Sequence, residues 1–567
     1  MSRRKHQLEA MFQQAVRLHQ AGRLAEAEPL YRQLLAAAPD HADALHMLGV
    51  LAMQAGHPRP ALDLLDQAIA RRADAGPGVA IYHVNRAGAL LALGQPELAL
   101  DAAQTAIRLR RASAEAHQTL GHSLSDLGRP DEAVQAYREA LRLNPNLPGV
   151  HANLGLALQE ASDLDGAEAA LREAVRRAPG DVIEQANLAS VVKSLGRLEE
   201  ADAIYQAALR RAPGNPLLVY NRAVLELLAG RFTEGWEHWE ARWQARGIPR
   251  RKLAGAQWGG EPLAGRTLLV HAEQGLGDTL QFCRFVPEIV ARDIVARDIV
   301  AGDPAARGLA QAGRVILEVQ PPLARLLQQL PDIEVIAAGA ALPAYDVWCP
   351  LLSLPRALGM ATLDDIPGSV PYLRADPAMA AKWQARMAAL DGLRVGLVWA
   401  GNAEDIRLDN RRSLRVAQLL GAVTAPGLVL VSLQKGEAAG QLKASGLAAG
   451  VHDWTAELND FADTAALVQA LDLVISVDTS VVHLAGALGK PVWLLNRLDT
   501  CWRWLLGRDD SPWYPTLRQF RQQRAGDWDS VLAQVQAALA SRIAQAAPHA
   551  MVSSSPTAVP PGSSRHG

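Results

Sequence analysis

Ala114-Glu-Ala-His-Gln-Thr-Leu-Gly121-His-Ser-Leu-Ser-Asp-Leu-Gly128-Arg-Pro-Asp-Glu-Ala133-Val-Gln-Ala-Tyr137-Arg-Glu-Ala140-Leu-Arg-Leu-Asn-Pro145 is the stretch that decides the architecture. The small residues Gly121, Ala133 and Ala140 let two helices approach closely, Gly128 turns the chain between them, and Pro145 stops the second helix. The pattern returns: Pro145, Pro179 and Pro213 fall 34 residues apart, and parts of the unit recur as Leu154-Gly155, Ala167 and Ala174, then Gly196, Ala201, Tyr205 and Ala208. Gly22 and Gly56 keep the same 34-residue step, as do Gly94, Gly128, Gly196 and Gly230 among themselves. Between Gly56 and Gly94 the step is four residues longer, which makes Asp74-Ala-Gly-Pro-Gly78 a lengthened loop.

A helix pair of this kind cannot bury its apolar face alone, so neighbours must stack. The unit resembles the tetratricopeptide repeat in period and residue type, and about seven units fit over residues 8–245. The last changes character at Phe232-Thr-Glu-Gly-Trp236-Glu-His-Trp239-Glu-Ala-Arg-Trp243, whose tryptophans enlarge one helix face. A cap on the array, a junction with the next domain, and substrate stacking are the readings of that face. Residues 246–264, with Gly247-Ile-Pro-Arg-Arg-Lys252 and Gly259-Gly-Glu-Pro, read as a connector.

Beyond it the period changes. Thr267 to Ala272 reads as a buried strand running into Gln274-Gly275-Leu-Gly277-Asp278 and a helix beginning near Thr279. Strand, helix and strand follow at Arg314–Val319, Pro322–Gln329 and Glu334–Ile336, and a second series starts at Leu393–Trp399, continuing through Leu428–Ser432, Leu471–Ser476 and Val492–Leu495. Two Rossmann-like lobes are expected, residues 265–385 and 386–545, facing a cleft at their strands' carboxyl ends. The tandem Val290-Ala-Arg-Asp-Ile294 and Val295-Ala-Arg-Asp-Ile299 suits a lengthened helix end or surface loop, and residues 546–567, rich in Ser, Pro and Gly, read as a disordered tail.

The chain has 567 residues, 49% apolar and 20% charged, and a net charge of −2, which gives no global attraction to nucleic acid or anionic lipid. Its three cysteines, Cys283, Cys349 and Cys501, argue against a disulfide framework or a Cys-based zinc site. His6, Gln7 and Glu9 stand where a signal peptide would carry its apolar stretch, and no apolar run suits a transmembrane segment. A cytoplasmic, reducing setting is expected.

Two motifs can carry chemistry. Gly275 and Gly277 leave backbone open to an acceptor, while Asp278 is either a helix cap, with Gln281 completing a capping box, or the base that takes a proton from an attacking hydroxyl. Asp478-Thr479-Ser480-Val-Val-His483-Leu-Ala-Gly486 opens a helix after a strand, where hydroxyls and free N–H groups make an anion site that His483 can reach from one turn in. The alternative leaves a plain cap and a buried, satisfied histidine. Together the motifs, with Gly489-Lys-Pro491 after the second, resemble glycosyltransferase family 9, the group of the ADP-heptose:lipopolysaccharide heptosyltransferases, over roughly residues 265–525.

The resemblance implies a GT-B fold, an acceptor lobe before a nucleotide-sugar lobe, and inverting transfer without metal or other cofactor. It makes Asp278 the base and sets Asp478, Thr479 and His483 around donor sugar and diphosphate; Ser480 stands where the family often has glycine. Cationic help for the leaving diphosphate is sought in Arg411 and Arg412, where the family often has lysine, and in Lys435. Ordinary solvated arginines are the alternative. The implied partners are a nucleotide-diphosphate sugar and a protein or glycan acceptor presented by the repeats, an outline similar to the O-GlcNAc transferases. A non-catalytic repeat adaptor with a degenerate transferase domain, and a two-lobed nucleotide-sugar epimerase, are the competing functions.

Overall fold

The computed structural model of the chain describes residues 2–72, 76–302, 313–401 and 411–546. Among these, fourteen helices from Ser2–Gln20 to Phe232–Trp239 form seven successive hairpins. The small residues set the spacing. A Cβ on Gly121 would lie 2.5 Å from the Tyr137 ring, and one on Gly155 would lie 2.5 Å from Leu171 Cγ. Tyr31, Tyr137 and Tyr205 are fully buried in these seams. The turn inside a hairpin takes positive φ at Gly22, Gly56, Gly94, Gly128, Gly196 and Gly230, and Ser162 fills the missing place in the series with φ 66°. Of the lengthened loop, Asp74 and Ala75 lie outside the described residues, and Pro77–Val79 forms one 3₁₀ turn.

Each of the two following sheets is parallel throughout. The first contains β1 (Ala256–Gln257), β2 (Thr267–His271), β3 (Arg314–Val319), β4 (Ile333–Ala337) and β5 (Val347–Pro350) in the order β1-β5-β2-β3-β4. The second contains β6 (Leu393–Val398), β7 (Leu428–Ser432), β8 (His452–Asp453), β9 (Leu473–Val477), β10 (Val492–Asn496) and β11 (Leu517–Arg521) in the order β11-β10-β9-β6-β7-β8. Every residue of β9 and β10 is buried, which is why these strands read as unbroken apolar runs. The strand order reverses at β2 in one sheet and between β6 and β9 in the other. Ligands of open parallel sheets collect beyond the carboxyl ends at such reversals, and both motifs follow these strands. The architecture is a helical repeat array followed by an α/β domain of two parallel sheets, an arrangement consistent with the expected GT-B-like layout.

The tandem at Val290–Ile299 lies inside the helix Val286–Gly302, while its decayed third copy runs into residues outside the description. Of the expected tail, Ala546 ends the helix Trp528–Ala546 and residues 547–567 are outside the described part. Among the described residues no helix is long and apolar enough to cross a membrane.

The tryptophan face of the last hairpin is a junction. Trp236 meets Phe282 of the first lobe at 5.9 Å between ring centroids and Trp502 of the second lobe at 5.3 Å, and Trp239 meets Trp502 at 5.9 Å. One continuous apolar core therefore runs from Ala223 through both lobes. Arg242, fully buried beside it, pairs with Glu240 and Glu273 at 2.8 Å each and donates to Ser353 Oγ at 2.8 Å.

Candidate active site

A glycine has no side chain with which to cap a helix, so the helix Leu276–Phe282 borrows one from within. Gly275 stands at the cap position, and Asp278, third residue of the helix, accepts the Gly275 N–H at 3.0 Å through Oδ2. Asp278 is thus not the cap, and the helix begins three residues earlier than the sequence suggests. The turn is held by Gln320, which donates to the Gln274 carbonyl at 2.7 Å and accepts from Thr279 Oγ1 at 2.9 Å. The other Asp278 oxygen is ion-paired with Arg503, a buried side chain whose Nε donates to Gln281 Oε1 at 2.7 Å.

Across from this turn, the helix Ser480–Ala487 starts immediately after β9. Thr479 occupies its cap position but makes no capping bond; its hydroxyl lies 3.1 Å from Ser476 Oγ. Asp478, Thr479 and Ser480 are half-buried at the cleft. His483 is buried, stacks on Trp504 at 5.3 Å and shares a hydrogen bond with Tyr514 Oη at 2.9 Å. Burial above all, then nearby Arg503, depresses its pKa to about 3 against the opposing pull of Asp278, so the imidazole is neutral at physiological pH.

The two helices touch. A Cβ on Gly277 would lie 2.9 Å from His483 Cδ2 and 3.4 Å from Ser480 Cα. Gly277 therefore serves the approach of one lobe to the other, where the sequence reading gives its open side to an acceptor.

Both turns line one cleft of about 1620 Å³, together with Arg411, Arg412, Lys435 and Arg497. Arg411 donates to Asp499 Oδ2 at 2.6 Å, and Arg497 lies 3.4 Å from the other oxygen of Asp499. The Arg412 guanidinium covers the open face of Gly401. Lys435 donates to the Thr455 carbonyl at 3.3 Å and to the Leu458 carbonyl, so its ammonium ties down the loop after β8. Gln434 fastens the ends of β6 and β7, accepting from Trp399 and Ala400 N–H at 3.0 and 2.9 Å. Sequence reasoning passes over Arg503, Arg497 and Asp499; an arginine between Trp502 and Trp504 is the available signal for the first. The repeats supply a third wall through Ser190, Lys193, Ser194 and Tyr220, with Arg246 of the connector beside them.

Comparison with known proteins finds matches in both parts of the chain. Tetratricopeptide repeat families match residues 18–80, 119–182 and 187–248, and glycosyltransferase family 9 (heptosyltransferase) matches residues 392–495. The latter match includes Thr479 and His483 and excludes Asp278. Protein FlbA of Caulobacter vibrioides is 30% identical over 346 residues, which are 56% of this chain and 54% of that protein, so the chain spans about half the length of the curated relative it matches. Among solved structures, a thermophilic TPR protein of Thermus thermophilus is 25% identical, covering 33% of this chain and 98% of its own at a TM-score of 0.29. A tetratricopeptide repeat protein from Parabacteroides merdae is 18% identical, covering 43% and 94% at a TM-score of 0.35. The chain thus carries tetratricopeptide repeats over residues 18–80, 119–182 and 187–248 and a match to the glycosyltransferase family 9 (heptosyltransferase) domain over residues 392–495.

Proposed function

We propose that the chain is an inverting, metal-independent glycosyltransferase acting on a nucleoside-diphosphate sugar and on a protein or glycan acceptor held by the repeats. Asp278 accepts the proton of the acceptor hydroxyl as its oxygen bonds to the anomeric carbon. The bond from that carbon to the phosphate oxygen breaks, and the electron pair leaves with the nucleoside diphosphate. Asp478, Thr479 and Ser480 line the donor, with the N–H groups at the start of the Ser480 helix turned to the departing charge. Arg411, Arg412 and Lys435 add positive potential, which is the work a metal does elsewhere. The observation that carries this reading is that a carboxylate and a helix start with an unspent cap line the same cleft from opposite lobes.

One observation favours the adaptor reading: Asp278 is already engaged by Arg503. A thermal-unfolding screen of the full chain against common nucleotide sugars separates the two. The transferase reading predicts that one donor class stabilises the protein by about 2.7 kcal/mol at a hundredfold excess over its Kd. An absence of shift across all nucleotide sugars contradicts it and leaves the adaptor.

A further inference from the structure

The Asp278 carboxylate is held from two lobes at once. Oδ2 accepts the Gly275 N–H of its own turn at 3.0 Å, and Oδ1 pairs with Arg503, which follows β10 in the second lobe. A carboxylate offers about four lone-pair positions, so these two bonds leave capacity for a further donor, and Asp278 keeps its place in the cleft wall. The contact that favours an adaptor therefore does not use up the base.

Arg503 is itself fixed. Its Nε donates to Gln281 Oε1 at 2.7 Å, its Nη1 donates to Cys501 Sγ at 3.2 Å, and its guanidinium carbon lies 4.3 Å from the Trp502 ring centroid. Trp513 Nε1 holds the Arg503 carbonyl at 3.0 Å. Gln281 turns its oxygen to the arginine even though its own amide nitrogen is then buried without a partner. Trp502, on which the guanidinium lies, is packed in turn against Trp236 and Trp239 of the last repeat hairpin. A planar fork bonded and stacked in this way has one geometry, which a lysine cannot reproduce.

Resting on the transferase reading, we propose that Arg503 is a positioning residue that aims the Asp278 carboxylate at the acceptor hydroxyl. Arg503 fixes one oxygen and the Gly275 N–H the other, so the two bonds together set the plane of the carboxylate. Because Arg503 belongs to the lobe that bears the Asp478 turn, the donor lobe aligns the base of the opposite lobe, and proton removal comes into register with the donor when the lobes are apposed.

The test is release of nucleoside diphosphate from ADP-, GDP- and UDP-linked hexoses by the full chain, with water as acceptor, for the wild type, Arg503→Lys and Arg503→Met. The water oxygen bonds to the anomeric carbon, one of its protons passes to Asp278 and the other stays on the new sugar hydroxyl, while the diphosphate leaves with the electron pair. Methionine keeps apolar contact with Trp502 but neither charge nor fork, so kcat should fall about 10- to 100-fold with KM for the sugar nucleotide held within about twofold. With the cation gone, the acid limb of the rate profile should move up by about one pH unit or more. Lysine keeps the charge without the fork, so it should keep the limb and recover part of kcat. Glu273, before the same turn, and His483 and Asp478 of the opposing turn are common to all three proteins, so the limb is read as a difference between them. Should the methionine variant not fold, the lysine variant carries the comparison, and a full wild-type kcat in it overturns the role of Arg503. A methionine variant as fast as the wild type, or a slower one with an unmoved limb, also overturns that role and leaves the transferase reading standing. No release by the wild type from any of these donors overturns both.

Discussion

Glu273 closes the segment that leads from β2 into the Gly275 turn, and its carboxyl is 3% exposed. Its Oε1 accepts from Arg242 at 2.8 and 3.1 Å, whereas Oε2 is buried without a partner. Burial outweighs the Arg242 guanidinium and pushes its pKa up from 4.5 to about 7. A carboxyl raised in the folded state stabilises the fold below its unfolded pKa, and that stability is lost as pH rises from about 4.5 through about 7. At about 1.36 kcal/mol per pH unit, ionisation inside the fold costs about 3 kcal/mol. Glu273→Gln keeps the shape and an oxygen for Arg242, whose charge Glu240 still balances at 2.8 Å. The variant should therefore match the wild type near pH 4.5 and exceed it by about 2–3 kcal/mol near pH 8. Urea unfolding across this range, followed by tryptophan fluorescence from the adjacent junction, measures the difference. A variant less stable than the wild type at pH 8, or a difference that does not change with pH, refutes the reasoning.

His483 has the opposite sign: its depressed pKa gives stability that is present above about 6.5 and lost toward pH 3, at up to about 1.4 kcal/mol per pH unit, and His483→Asn should remove that slope. Because the two windows overlap, each variant is read as a difference from the wild type. Gly277→Ala should cost about 1–3 kcal/mol by forcing His483 away, with the loss seen as faster hydrogen exchange in the helices Leu276–Phe282 and Ser480–Ala487. Gly121→Ala should loosen its hairpin by a similar amount through the Tyr137 ring, whereas Ser162→Gly should gain about 0.5 kcal/mol by relieving a left-handed backbone. Thermal unfolding of both variants decides their signs.

The repeats were legible because their geometry has few chemical solutions: a helix contact too close for a side chain needs Gly121 or Gly155, and a left-handed turn favours Gly128. Ser162 escaped the pattern by adopting the same φ without being glycine. The buried strands stood out as apolar runs, but β11 is an edge strand spelled Leu-Arg-Gln-Phe-Arg, and β1 and β8 are two residues each. Of the site, the two turns could be read locally. Arg503 could not, since it meets Asp278 across 225 residues, and Lys193 sits in a repeat whose period explains it without reference to any cleft.

The most direct measurement is single-turnover transfer by Asp278→Asn, with donor affinity determined on the same sample. Asparagine can accept the Gly275 N–H but cannot take a proton from an attacking hydroxyl. Transfer should fall by about 10²–10⁴-fold while donor affinity holds. Transfer at the wild-type rate, with the donor equally well bound, contradicts the account.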